Sequence, residues 1–163
     1  MSARKAKRTH RVTDQLVGRK VLLVEDSKTY VAAMAGRLEE YYGIEVVSCS
    51  SMDHLRETLA NGGNDYSVAI ADLNQPGGPR GEALDLLIAN DVPPIVFTGS
   101  FDQATRHRVL TKQIADYVLK DGPGALDNVT SSVVRLMSNR EVRVLVVDDV
   151  RSTRELLAKH LKK

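Results

Sequence analysis

Cysteine is nearly absent from this chain. Cys49 stands alone, so no internal disulfide can form, and its setting in Glu45-Val46-Val47-Ser48-Cys49-Ser50 suits a small, half-buried residue at a strand end. No apolar run approaches the roughly 18 residues that span a bilayer, and no short apolar segment follows the basic N-terminus as it would in a secretory signal. Both absences predict a soluble, cytoplasmic protein with no membrane partner. The basic stretch Arg4-Lys5-Ala6-Lys7-Arg8-Thr9-His10-Arg11 lacks aromatics to stack on bases and lacks an amphipathic period. Residues 1–18 are therefore expected to be a solvated, disordered tail rather than a nucleic-acid or lipid anchor.

What is present suffices for one compact domain. The chain has 163 residues, 42% of them hydrophobic, enough for a core of roughly 120 residues with appendages. Its net charge of +2 is unevenly spread. Residues 1–20 carry seven Lys or Arg against one acid, and the remainder carries sixteen against twenty, so a mildly acidic body follows a basic tail.

From Lys20 the chain reads Val21-Leu22-Leu23-Val24-Glu25-Asp26-Ser27, apolar on both faces and ending in acids. That pattern predicts a central parallel strand covered by helices on both sides. Ser27 is placed to cap the next helix, where Val31, Met34, Ala35 and Leu38 recur at helical spacing until Tyr41-Tyr42-Gly43 ends it. The rhythm then repeats. Strands are expected at 44–47, 68–71, 95–98 and 116–120, and helices at 52–60, 82–89, 103–111 and 124–137, with breaks at Gly62-Gly63-Asn64 and Pro93-Pro94. Alternation of this kind predicts an α/β fold with a five-stranded parallel sheet and right-handed crossovers. Ligands in such sheets bind beyond the carboxyl ends of the strands.

The polar residues at those ends form a set: Glu25 and Asp26 after strand one, Asp72 after strand three, Thr98 after strand four and Lys120 after strand five. Singly, each has an ordinary reading. Asp72 opens the loop Leu73-Asn74-Gln75-Pro76-Gly77-Gly78-Pro79-Arg80-Gly81 and could be a turn former, Thr98 a strand-end hydroxyl bonded to backbone, and Lys120 a surface lysine. Their common register points all five into one cleft. Three carboxylates a few ångströms apart repel by roughly 3 to 4 kcal/mol per pair at an effective dielectric near 20, which asks for a cation. Magnesium fits, being hard and oxygen-loving. Glu25 and Asp26 would hold it with one oxygen of Asp72, whose other oxygen is left to attack phosphorus. Lys120 and the Thr98 hydroxyl would stabilise the phosphoryl oxygens, and Gly99 leaves room beside them.

This set resembles the receiver domain of two-component response regulators, over about residues 19–139. The resemblance implies a flavodoxin-like, doubly wound sheet of order 2-1-3-4-5. It implies Mg2+ held by Glu25, Asp26, Asp72 and the backbone carbonyl of Asn74, with Asp72 as phosphoacceptor and Pro76 at the usual plus-four position. Thr98-Gly99 and Lys120 match the family's hydroxyl and lysine, Thr98 and Tyr117 match its switch pair, and the Asn74 side chain would tune dephosphorylation. The implied partner is a sensor histidine kinase or phosphotransfer protein. The implied output surface is the face of helix four, strand five and helix five, which is one route to a homodimer. Two departures stand out. Asp121-Gly122-Pro123 replaces the Pro that usually follows the lysine, so the Lys120–Asp121 peptide is expected to be trans. The loop after Asp72 is longer and richer in Gly and Pro than usual.

Residues 142–163 repeat the beginning. Val144-Leu145-Val146-Val147-Asp148-Asp149-Val150-Arg151-Ser152 aligns without gaps on Val21-Leu22-Leu23-Val24-Glu25-Asp26-Ser27-Lys28-Thr29, and Leu157 and Leu161 fall on Met34 and Leu38. Residues 140–163 thus read as the first strand and helix of a second, truncated receiver, joined through Ser138-Asn139-Arg140-Glu141. Residues 143–147 are expected to add to an exposed sheet edge or to a neighbouring protomer, a second route to a homodimer. A helical extension with an accidental acid pair is the alternative. Asp148 and Asp149 lack an acceptor Asp, Thr and Lys of their own.

The functional expectation is a non-enzymatic phosphoacceptor module that assists phosphoryl transfer to its own Asp72, with any output such as a diguanylate cyclase absent from this sequence and no nucleic-acid binding by residues 19–139. A degenerate receiver serving as a dimerisation or docking module is the main rival. A flavodoxin-like nucleotide binder would want a Gly-rich loop after strand one. An Asp-nucleophile phosphatase would want a second acid where Asn74 stands.

Overall fold

A computed structural model describes residues 15–62, 65–74, 76, 81–99, 103–139 and 144–161. Strands β1 (Lys20–Val24), β2 (Glu45–Cys49), β3 (Tyr66–Ala71), β4 (Pro94–Thr98) and β5 (Asp116–Leu119) make one sheet of order β2-β1-β3-β4-β5. Every neighbouring pair is parallel. Helices α1 (Lys28–Tyr42), α2 (Met52–Gly62), α3 (Glu82–Ala89), α4 (Gln103–Leu110) and α5 (Ala125–Asn139) alternate with the strands, and α6 (Arg151–Leu161) follows. This is the expected doubly wound, flavodoxin-like sheet.

The central strands β1, β3 and β4 are apolar without alternation because both faces are covered. Leu22, Val24, Ala69, Ala71 and Val96 pack with Met52, Leu55, Leu84, Leu87 and Val109 of α2, α3 and α4. The intervening residues Val21, Leu23, Val68, Ile70, Ile95 and Phe97 pack with Met34, Leu38, Val129, Val133 and Met137 of α1 and α5. Each fully buried aliphatic side chain contributes about 1.5–3 kcal/mol.

Local signals behave with two adjustments. Gly43 ends α1 at φ 64°, the left-handed geometry glycine tolerates, and its N–H donates to the Glu39 carbonyl. Ser27 sits at the N-cap of α1 but its hydroxyl makes no capping bond. Its backbone N–H donates to Glu25 Oε1 at 3.1 Å, closing a turn on that carboxylate just ahead of the helix. Cys49 is fully buried rather than half-buried, because β2 ends against α2, and its thiol donates to Thr58 Oγ1 at 3.3 Å. Burial pushes that thiol above its ordinary value. Leu16 is buried with Val21 and Leu38, so the packed part of the chain reaches back before Arg19. Residues 1–14, where most of the basic tail falls, lie outside the described residues.

The C-terminal segment departs from expectation. Residues 144–148 form no strand, and Leu145 and Val147 are 86% and 84% exposed. A strand is defined by ladder hydrogen bonds, and no described neighbour supplies them. The helix expected after it is present as α6 and buries none of its residues. Arg143 and the residues 140–142 lie outside the described ones. No helix among the described residues is long and apolar enough to cross a membrane.

Candidate functional site

The site lies at the carboxyl edge of β1, β3, β4 and β5, where β1 is flanked by β2 on one side and β3 on the other and the direction of winding reverses. Backbone bonds between neighbouring strand ends lock its residues in register. Glu25 N–H donates to the Cys49 carbonyl at 3.0 Å, Asp72 N–H to Val24 at 3.0 Å, and Lys120 N–H to Thr98 at 2.9 Å. Glu25, Asp72 and Thr98 are buried, with Thr98 fully so, while Asp26 is exposed.

Glu25, Asp26, Asp72 and Lys120 are brought together through their side chains, and Thr98 ends β4 beside β5, its carbonyl bonded to the Lys120 N–H. Lys120 Nζ lies 2.7 Å from Asp72 Oδ2 and 2.7 Å from Glu25 Oε2, bridging two acids that are 47 residues apart in sequence. One carboxylate oxygen each from Glu25, Asp26 and Asp72 fall within 4.8 Å of one another. Such a donor set, oxygen-only and tri-anionic, fits a hard divalent cation. Burial pushes the Glu25 carboxyl above its usual range even though Lys120 pulls it down. Lys120 is itself desolvated, which opposes its charge, but its bonds to Asp72 and Glu25 outweigh this and hold its ammonium above the ordinary lysine value.

The remaining expected residues are at the rim. Asn74 is exposed, and its backbone N–H donates to Asp72 Oδ1 at 3.3 Å, steadying the carboxylate from the loop side. Pro76 is tied to α2 through its carbonyl, which accepts Met52 N–H at 3.3 Å. Gln75 and residues 77–80 of the same loop lie outside the described residues. Gly99 is in place, with open space where a side chain would project. The Lys120–Asp121 peptide is trans as expected. Tyr117 is half-buried on β5, with burial raising its hydroxyl and the Arg106 charge opposing this. It lines a cavity of about 590 Å³ with Arg106, Asp116, Asn128, Ser132 and Arg135, on the face of α4, β5 and α5. Sequence reasoning missed Tyr30. Its ring centroid is 4.7 Å from Lys120 Nζ, and an aromatic in the first turn of the helix after the acid pair was the available signal.

The fold is a doubly wound, parallel α/β sheet with an acidic carboxyl edge, and comparison with known proteins bears on which kind. No family model matches the sequence, and no curated protein matches it significantly. Among solved structures, two described as two-component system response regulator/GGDEF domain proteins are similar over 88% of this chain, at 31% and 32% identity and TM-scores of 0.74 and 0.73. The chain spans 57% and 59% of their lengths. A Francisella response regulator receiver domain is similar over 77% of this chain and all of its own length, at 20% identity and a TM-score of 0.63, which establishes the shared fold. The fold is that of response regulator receiver domains.

Proposed function

We propose that this chain is a phosphoacceptor receiver module of a two-component or phosphorelay system. The observation that carries the reading is the placement of Lys120 Nζ 2.7 Å from Asp72 Oδ2, beside a tri-carboxylate cluster at the sheet edge. Glu25, Asp26, Asp72 and the Asn74 carbonyl would hold Mg2+, which supplies charge compensation for phosphoryl oxygens. A carboxylate oxygen of Asp72 forms the new O–P bond as the donor's N–P bond breaks, and the donor imidazole keeps the electron pair of that bond. Lys120 and the Thr98 hydroxyl stabilise the transferred oxygens. The donor is a sensor histidine kinase or phosphotransfer protein. The added charge then biases Thr98 and Tyr117 and so the α4, β5, α5 face.

Incubation with acetyl phosphate, or with beryllofluoride and Mg2+, is expected to yield an adduct on the wild type and none on Asp72→Asn. Absence of any Mg2+-dependent adduct on the wild type would leave the docking-module reading in its place.

Residues 140–163 are further read as the opening of a second receiver. Support comes from local geometry as well as sequence. α6 begins at Arg151, the repeat position of Lys28 where α1 begins. Val150 N–H donates to Asp148 Oδ1 at 2.8 Å, as Ser27 N–H donates to Glu25 at the matching positions. Two receivers in series followed by a GGDEF-type output would suit the relatives described with that domain.

A further inference from the structure

Tyr30 occupies a position that the phosphoacceptor chemistry does not require and the sequence did not flag. Its ring centroid lies 4.7 Å from Lys120 Nζ and packs edge-on, at 86° and 5.6 Å between centroids, against Phe97. The Phe97 ring is itself 5.5 Å from the same ammonium and is fully buried on β4. The Lys120 ammonium is therefore surrounded by two carboxylates and two aromatic rings. The face of an aromatic ring attracts a cation, most strongly where water is excluded.

We propose that Tyr30 is a positioning residue for Lys120, its ring face holding the ammonium at Asp72. The inference rests on the phosphoacceptor reading for its consequence and on the geometry for its premise. Glu25 and Asp72 share the lysine at equal distance in this structure, yet phosphoryl stabilisation needs the ammonium at Asp72 alone. A carboxylate that leaves Lys120 for another partner takes half of its charge-assisted bonding with it. The ring does not move with Glu25, because Tyr30 is anchored in the first turn of α1 against the buried Phe97. It thus keeps a four-carbon, flexible side chain from swinging into solvent.

The test pairs a structural with a functional readout. In proton NMR of the folded wild type, the Lys120 methylene next to Nζ is expected upfield of ordinary lysines through the ring current. Tyr30→Phe is expected to keep that shift and Tyr30→Leu to lose it. Beryllofluoride affinity in the presence of Mg2+ is expected to fall about threefold to tenfold in Tyr30→Leu, the range of a partly desolvated cation–π contact, and to be largely restored in Tyr30→Phe. An ordinary methylene shift in the wild type would overturn the proposal without recourse to any variant. So would a Tyr30→Leu protein with unchanged affinity, or a Tyr30→Phe protein as weak as Tyr30→Leu, which would assign the effect to the hydroxyl. Failure of the wild type to bind beryllofluoride at all would sink the phosphoacceptor reading, and the functional half of this proposal with it, while the methylene shift still decides the contact.

Discussion

The unit formed by β1 and α1 and the segment of residues 144–161 carry the same pattern, yet only one contains a strand. Val21, Leu22, Leu23 and Val24 are fully buried, whereas their repeat counterparts Val144, Leu145 and Val147 are 58%, 86% and 84% exposed. The helices start at matching positions and the acid-to-amide turns match. What differs is the surroundings. β1 is laddered on both sides, to β2 and to β3, and the later segment has no such neighbour among the described residues. Turn and helix are thus properties of the local sequence, while the strand belongs to the pair of chains that build it.

Hydrogen exchange would expose this difference most strongly. Amides of Val21 to Val24 should exchange only on global opening, at least about a thousandfold slower than those of Val144 to Val147, if the body has ordinary domain stability. Protected amides at Val144 to Val147 would break the comparison by showing that a second copy or another chain supplies a ladder.

A matched pair of truncations asks the same question of packing. Leu22→Ala should lower stability by about 2–5 kcal/mol in urea unfolding followed by circular dichroism, because it opens a cavity between sheet and helices. Leu145→Ala, at the equivalent repeat position, should change stability by less than about 0.5 kcal/mol. Equal effects would mean that the exposed copy is packed in solution.

The acids offer a third contrast. Glu25→Gln should weaken Mg2+ binding roughly tenfold or more by titration calorimetry, since it removes one of three convergent carboxylates. Asp148→Asn, lacking an acceptor acid beside it, should leave the affinity unchanged. A loss in Asp148→Asn would place the second acid pair against a cation as well.

The same contrast explains what the sequence could and could not disclose. Strands β1, β3 and β4 were legible because a sheet covered on both faces requires unbroken apolar runs, and Glu25, Asp72 and Thr98 were legible because each closes such a run, while Lys120 follows the shorter, half-buried β5. The sequence-based strand at 143–147 rested on the same signal without the partner that gives it force. Ser27 looked like a cap because the type fits the place, and it does stand at the N-cap, but its hydroxyl makes no capping bond. The bridging of Glu25 and Asp72 by Lys120, and the Tyr30 ring behind it, join residues up to 95 apart, and no periodicity encodes such a meeting.

The smallest expected effect separates helices that are packed from one that stands by itself. α6 is 11 residues long with no buried residue, short of the length at which an isolated helix becomes stable in water. Its visible support is local: Arg151 Nε pairs with Glu155 Oε1 at 2.7 Å, one turn apart, and Lys159 and His160 sit at its negative end. Glu155→Gln should therefore cost α6 about 0.3–0.5 kcal/mol at low salt, read as a fall in helical carbon chemical shifts over 151–161, and the difference should vanish in high salt. In α1, whose Met34 and Leu38 are fully buried, no exposed pair should have such leverage on helicity. A Glu155→Gln variant with unaltered shifts at low salt would mean that α6 is held by packing against a partner, and the two units would then differ in their covering rather than in whether they are covered.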